Sequence, residues 1–147
     1  MQEFLQEAKN SSRIIANLGS AQKNRVLNEM ADALIEHSSF ILSHNQKDMN
    51  DAKLNNLNDA LQDRLLLTEK RIQDMAIAIR QIASQQDPLG KILNGWVTKD
   101  GLNIQKVSIP IGVIGIIYES RPNVTSDTAA LCFKSGNVCV LKGGKEA

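Results

Sequence analysis

The end of the chain constrains the fold most strongly, because residues 109–146 read IPIGVIGIIYESRPNVTSDTAALCFKSGNVCVLKGGKE. The continuous apolar run Ile111–Tyr118 predicts a strand that is covered on both faces. Thr125–Ser135 has helical character and ends at Gly136-Asn137, and Val138–Leu141 predicts a second buried strand. A strand, a helix and a strand of these lengths predict a right-handed parallel unit, so we expect an α/β protein.

The second strand is followed by a Gly-Gly loop, and the sequence then reaches Ala147. A buried parallel strand is normally followed by a crossover helix. We therefore expect the chain to be the front part of a larger enzyme.

Residues 1–87 are predicted to be helical, because apolar side chains recur there at a spacing near 3.6 residues. Gly19 is expected to end the first helix and Ser20 to cap the second. The polar segment Asn45–Leu67 predicts short helices and turns. Thr68 is expected to cap a third helix, whose apolar stripe is Ile72, Met75, Ala76, Ile79, Ile82 and Ala83.

A β-hairpin is predicted between the helical part and the parallel unit. Trp96–Thr98 and Leu102–Ile109 flank Asp100-Gly101, a pair that accepts the positive φ angles of a tight turn. The alternation of apolar residues changes phase after Ile104, which predicts a bulge near Gln105-Lys106.

Composition and charge exclude several classes of function. The net charge is +1 and aromatic residues make up 3% of the chain, which argues against nucleic-acid binding. There is no signal peptide and no apolar run of ~18 residues, so we expect a cytoplasmic protein without a membrane span. The two cysteines and two histidines are not at metal-ligand spacing. Cys132 and Cys139 lie in apolar stretches and are predicted to be buried structural thiols.

The loops after the two strands are the places where chemistry is expected, because ligands of open parallel sheets bind at the carboxyl ends of strands. In the first loop, Arg121 could bind a carboxylate or phosphate, and the Asn123 amide could donate to an oxyanion. Alternatively, Asn123 or Thr125 only caps the helix and Arg121 is solvated. In the second loop, Lys142-Gly143-Gly144-Lys145 suits a phosphate-bearing cofactor, although an ordinary turn with solvated lysines fits equally well.

Three segments carry a resemblance to a known family: LQDRLLLTEKRIQDMA, GLNIQKVSIPIGVIG and GVIGIIYESRPNVTSDTAALCFKSGNVCVLKGGKEA. They resemble the gamma-glutamyl phosphate reductases of the aldehyde dehydrogenase superfamily, most specifically at YESRPNVT and LKGGKEA. Because family members are considerably longer, the resemblance implies that residues 1–147 are an incomplete N-terminal part of the cofactor-binding domain. Residues 1–87 would be its helices, residues 96–109 an oligomerisation hairpin, and residues 111–147 the start of a Rossmann-like parallel sheet.

The resemblance also implies a reaction, the NADPH-dependent reduction of L-glutamyl 5-phosphate to L-glutamate 5-semialdehyde with release of phosphate, in proline biosynthesis. In the family, a cysteine thiolate attacks the acyl phosphate and forms a thioester. That cysteine is expected beyond residue 147, so this chain alone would be inactive. The intact enzyme would be a homo-oligomer.

Site residues follow from the same resemblance. Lys142 would contact the adenosine ribose, and Gly144 would let the cofactor approach the backbone. Lys145 stands where NAD-preferring relatives often carry a glutamate, and it could pair with a 2′-phosphate. For the substrate, Asn123 is the candidate oxyanion donor, with Ser120 or a backbone N–H as alternatives. Arg121 is the candidate that would bind the phosphate or carboxylate.

Two other functions remain open at this point. One is an acylating aldehyde dehydrogenase with a different acyl donor. The other, from a different class, is a non-catalytic module that interacts with a partner through the residue 96–109 hairpin.

Overall fold

The computed structural model describes residues 2–144, which form six helices and four strands. In chain order these are α1 (Gln2–Ile15), α2 (Ser20–Glu36), α3 (Ser38–Leu54), α4 (Asp59–Leu65), α5 (Glu69–Ser84), β1 (Ile92–Val97), β2 (Asn103–Val107), β3 (Val113–Ile117), α6 (Pro122–Lys134) and β4 (Val138–Lys142). The α/β prediction is confirmed. In the part of the chain that the structure describes, no helix is long and apolar enough to cross a membrane.

The main core lies where α2, α5 and α6 pack together. The predicted apolar stripe of α5 is confirmed, because all six of its residues are buried. The helix starts where predicted, since Thr68 Oγ1 accepts a hydrogen bond from the backbone N–H of Arg71 at 3.1 Å. The buried cluster consists of Leu27, Ala31, Ala76, Ile79, Ile82, Ala83 and Ala130.

One prediction about the helices was wrong, and another was wrong in part. Ser20 is the first residue of α2, whereas Gly19 is at the N-cap and donates its N–H to Gln22 Oε1 at 3.0 Å. The prediction of short helices and turns over Asn45–Leu67 is confirmed for the seven-residue α4 and the turn before it, but it was wrong for the first part, where α3 continues to Leu54. Asn45 is buried within this helix, where its amide donates to Leu65 O at 2.8 Å and accepts from Leu67 N at 2.7 Å. Asn45 therefore joins α3 to the segment between α4 and α5.

A buried charged cluster joins α2, α6 and the turn after α5. Lys23 Nζ lies 2.5 Å from Asp87 Oδ2 and donates to Lys134 O at 3.2 Å, across 111 residues of sequence. Lys134 Nζ donates to Ala83 O at 2.7 Å and to Asn24 Oδ1 at 2.5 Å. The Lys23 side chain is only 1% exposed, so this cluster is part of the core although its members are charged.

The predicted hairpin is present, with Gly101 at φ +85° in its turn and β1 antiparallel to β2. β1 begins at Ile92, four residues before the predicted start at Trp96. The predicted position of the bulge was also wrong. Ile92 pairs with Val107 and Asn94 with Lys106, so the extra residue, Leu93, is in β1 and not in β2. A change of phase in one strand does not reveal which strand of the pair carries the bulge.

The strand-helix-strand unit has the predicted parallel pairing, from Val113 opposite Val138 to Ile117 opposite Lys142. α6 begins at Pro122, three residues before the predicted Thr125, because proline suits the first helical position, where its missing N–H costs nothing. The prediction that β3 is covered on both faces was wrong. In residues 2–144 the side chains of β3 alternate between exposed and half-buried, and Ile117 is 80% exposed.

Candidate functional site

The carboxyl ends of β3 and β4 place the two predicted loops side by side. Ile117 and Lys142 are partners at the end of the parallel ladder, and the N–H of Tyr118 donates to Lys142 O at 3.1 Å. This bond joins the first residue after β3 to the last residue of β4. The loop that carries Ser120 and Arg121 therefore starts next to the loop that carries Gly144.

The first loop is tightly folded. Ser120 is 1% exposed and has a φ of 42°, in the left-handed region that is uncommon for a residue with a side chain. Such a conformation is tolerated where the surroundings fix it, and it often occurs at functional sites. The next residue, Arg121, occupies the N-cap position of α6 without making a side-chain cap, and it is exposed.

Asn123 lies in the first turn of α6 and not in the loop. Its Nδ2 donates to Asp127 Oδ2 at 3.1 Å, and the side chain is exposed. Thr125 Oγ1 is hydrogen-bonded to the Tyr118 hydroxyl. Neither Asn123 nor Thr125 caps the helix, so the capping part of that alternative was wrong, whereas Arg121 is exposed as it stated. Asp127 Oδ1 is buried and has no hydrogen-bond partner in residues 2–144.

The second loop offers positive charge and a small backbone. Lys142 is exposed at the end of β4, and Gly143 and Gly144 behind it are half-buried. A glycine pair next to an exposed lysine fits a phosphate-bearing ligand, because the ligand can approach the backbone closely. Lys145 lies outside the described residues.

Of the two cysteines predicted to be buried, Cys132 is buried and Cys139 is only half-buried. Cys132 is 6% exposed, and burial, together with the nearby Cys139, raises the pKa of its thiol. A raised pKa keeps the thiol protonated at neutral pH, as predicted for a structural cysteine. Within residues 2–144, no group of three His, Cys, Asp or Glu residues could bind a metal ion.

A cleft beside the first loop was not predicted from the sequence. It has a volume of about 370 Å³ and lies between the α4–α5 connection and the start of α6. The two arginines of QDRLLLTEKR stand in a stretch that was predicted only as turns and the start of a helix, and no local pattern relates it to the start of α6. The lining residues are Asp63, Arg64, Leu66, Leu67, Arg71, Arg121, Pro122 and Asn123.

No protein-family model matches the chain. The chain is 63% identical to a gamma-glutamyl phosphate reductase of Sulfurovum sp. and 65% identical to one of Sulfurimonas denitrificans. Both matches include all 147 residues but span only 36% of the length of each relative.

Solved structures give the same result. The gamma-glutamyl phosphate reductase of Thermotoga maritima matches with a TM-score of 0.96 and 39% identity, over 99% of this chain and 35% of that one. The Saccharomyces cerevisiae enzyme matches with a TM-score of 0.93 and 34% identity, over 99% of this chain and 37% of that one. The chain is therefore similar to the N-terminal part of gamma-glutamyl phosphate reductases, in sequence over its full length and in fold over 99% of it.

Proposed function

We propose that the protein containing this chain reduces L-glutamyl 5-phosphate to L-glutamate 5-semialdehyde and releases phosphate, in proline biosynthesis. The observation that carries the proposal is the identity of 63% and 65% to named reductases over every residue of the chain. The match in fold to two solved reductases supports it.

The proposed reductant is NADPH, bound at the end of β4. Lys142 would contact the adenosine ribose, and Gly144 would allow close approach of the backbone. Lys145 would pair with the 2′-phosphate. When bound, the cofactor supplies the hydride. The exposed Lys142 and the adjacent glycine pair support this placement, because they offer positive charge and little steric hindrance.

Three residues are proposed to act on the substrate. Arg121 would bind a phosphate or carboxylate, since its exposed guanidinium can form two parallel hydrogen bonds to such a group. Asn123 would donate to the oxyanion, using the amide hydrogen that is not directed to Asp127. Ser120, the alternative donor to the oxyanion, directly precedes Arg121 and has a left-handed backbone conformation.

The nucleophile is proposed to lie outside the segment that this chain represents. Cys132 is a poor candidate, because it is buried in α6 and the pKa of its thiol is raised, first by burial. A thiolate elsewhere in the intact protein would form the thioester, so the chain by itself would be inactive.

The intact protein is proposed to be a cytoplasmic homo-oligomer that associates through the residue 96–109 hairpin. Exposed apolar side chains on β1 and the adjoining turn support this, with Trp96 51%, Val97 67% and Leu102 64% exposed. An exposed two-stranded ribbon tends to pair with another edge. The free thiols of Cys132 and Cys139 suit the reducing cytoplasm.

The reverse reaction tests the proposed function. The intact protein, given glutamate semialdehyde, inorganic phosphate and NADP⁺, is expected to form NADPH, measured at 340 nm. The 147-residue chain alone should give no signal above the blank. Oxidation of a different aldehyde, with none of glutamate semialdehyde, would favour the rival acylating dehydrogenase. Turnover by the short chain would contradict the proposed location of the nucleophile.

The replacement Lys145→Glu tests the cofactor preference. We expect kcat/KM with NADPH to fall about tenfold or more, while kcat/KM with NADH is maintained or rises, because a carboxylate repels the 2′-phosphate and can bind ribose hydroxyls. The matched control is Lys47→Glu, an exposed residue of α3 outside the proposed sites, which changes the net charge equally and should leave the preference unchanged. An unchanged preference in Lys145→Glu would remove this residue from the proposed site.

A further inference from the structure

The cleft between the α4–α5 connection and the start of α6 brings together three arginines that are far apart in the sequence. Arg64 comes from α4, Arg71 from the first turn of α5, and Arg121 from the N-cap of α6. The cleft volume of about 370 Å³ is sufficient for a small molecule.

One of these arginines is already engaged. Arg71 Nη1 donates to Leu66 O at 2.6 Å and also to Asp63 O, while Nη2 pairs with Asp63 Oδ1 at 2.9 Å. Asp63 is the acidic residue among those that line the cleft, and this ion pair compensates its charge. Arg71 therefore fixes the shape of the α4–α5 connection and adds no unbalanced charge.

The other two arginines remain available. Arg64 and Arg121 are exposed, and neither forms an ion pair with any other residue in 2–144. The lining therefore carries two positive charges that no acidic residue of the lining compensates, one from α4 and one from the N-cap of α6. Planar guanidinium groups in such an arrangement are suited to a carboxylate or phosphate, because each can donate two parallel hydrogen bonds.

We infer that this cleft binds an anionic oxygen group of the substrate between Arg64 and Arg121, and that Arg71 is a positioning residue for it. The inference rests on the proposed function, and it adds Arg64 and the second wall of the site. A carboxylate and a phosphate share the required chemistry, and both occur among the proposed reactants.

The variant that tests the site is Arg64→Gln in the intact protein, with Arg64→Lys as a partial rescue. The control is Arg13→Gln on α1, an exposed arginine on an element that does not line the cleft. Steady-state kinetics of the reverse reaction would give separate KM values for phosphate and for glutamate semialdehyde. Calorimetric titration with inorganic phosphate and with L-glutamate would measure binding without turnover.

We expect Arg64→Gln to raise one of the two KM values about tenfold with a smaller change in kcat, and Arg64→Lys to recover part of the loss. A rise for phosphate identifies the phosphate as the group bound, and a rise for the semialdehyde identifies the carboxylate. Binding of the corresponding probe should weaken in parallel. Unchanged KM values in an active enzyme would overturn the inference and leave the proposed function intact. If the wild type is inactive, the proposed function fails, and the binding titrations test the inference separately. Equal binding of the probe by wild type and Arg64→Gln, or no binding by either, would overturn the inference.

Discussion

Replacing Ile79 by alanine is expected to lower the free energy of unfolding by about 3–4 kcal/mol. Ile79 is 0% exposed and lies in the cluster where α2, α5 and α6 meet. The substitution removes three buried carbon atoms, and the helices around them cannot close the resulting cavity completely. Urea unfolding followed by the circular dichroism of the helices would measure the loss.

The control for this substitution is on the same helix. Ile77 is 50% exposed, and Ile77→Ala removes the same atoms from a half-solvated position. We expect a change of less than about 1 kcal/mol, because little apolar surface is returned to water. Equal losses for the two variants would mean that the α2–α5–α6 cluster is not the main core.

Asp87→Asn is expected to lower the free energy of unfolding by about 3 kcal/mol at neutral pH, because it leaves buried lysines without a negative charge. Asp87 Oδ2 lies 2.5 Å from Lys23 Nζ, and Lys134 is close by. Burial alone would raise the pKa of Asp87, but the hydrogen bonds from Lys23 and from the N–H of Leu89, together with the charges of Lys23 and Lys134, hold it below 3.8.

The same carboxylate predicts an acid dependence. Because the folded-state pKa of Asp87 is depressed, its contribution is fully present above pH 3.8 and is lost as the pH falls through the folded value. The stability difference between wild type and Asp87→Asn should therefore shrink below about pH 4. Asp74→Asn is the control, since Asp74 is 55% exposed and its pair with Lys70 should contribute less than about 1 kcal/mol. If the stability difference between wild type and Asp87→Asn did not change with pH, this would contradict its assignment to the charge of Asp87.

Features set by local sequence were predictable. The stripe of α5 and its Thr68 cap depend on residues within one helix, and both were confirmed. Gly136 also ends α6 as predicted, with a φ of +72° that a residue with a side chain rarely adopts. In each case the signal and the structure it determines lie within a few residues of each other.

Features that depend on distant contacts were missed. From the sequence, Lys23 and Lys134 would be placed on the solvated faces of their helices. Only the packing of α2 against α6 buries them. The position of the bulge at Leu93 depends on the partner strand. The start of α6 at Pro122 is different, because proline at the first helical position is a local signal that could have been used.

The candidate site was predicted in part. The first loop was identified because a strand end followed by a helix is a common ligand position, and the structure places it next to the second loop. Arg64 and Arg71 were not identified, because nothing in the sequence indicates that the α4–α5 connection faces the start of α6. Cavities between elements far apart in the chain require the tertiary structure.

The hydrogen bond from Lys23 to Lys134 O joins residues separated by 111 positions. Closing so long a segment costs entropy before any contact is gained, so this bond should form late, after α2 and α5 have associated. Interactions that form after the folding transition state change the unfolding rate more than the folding rate. The buried lysines should therefore mainly slow unfolding. They lengthen the lifetime of the native state and leave the folding rate almost unchanged.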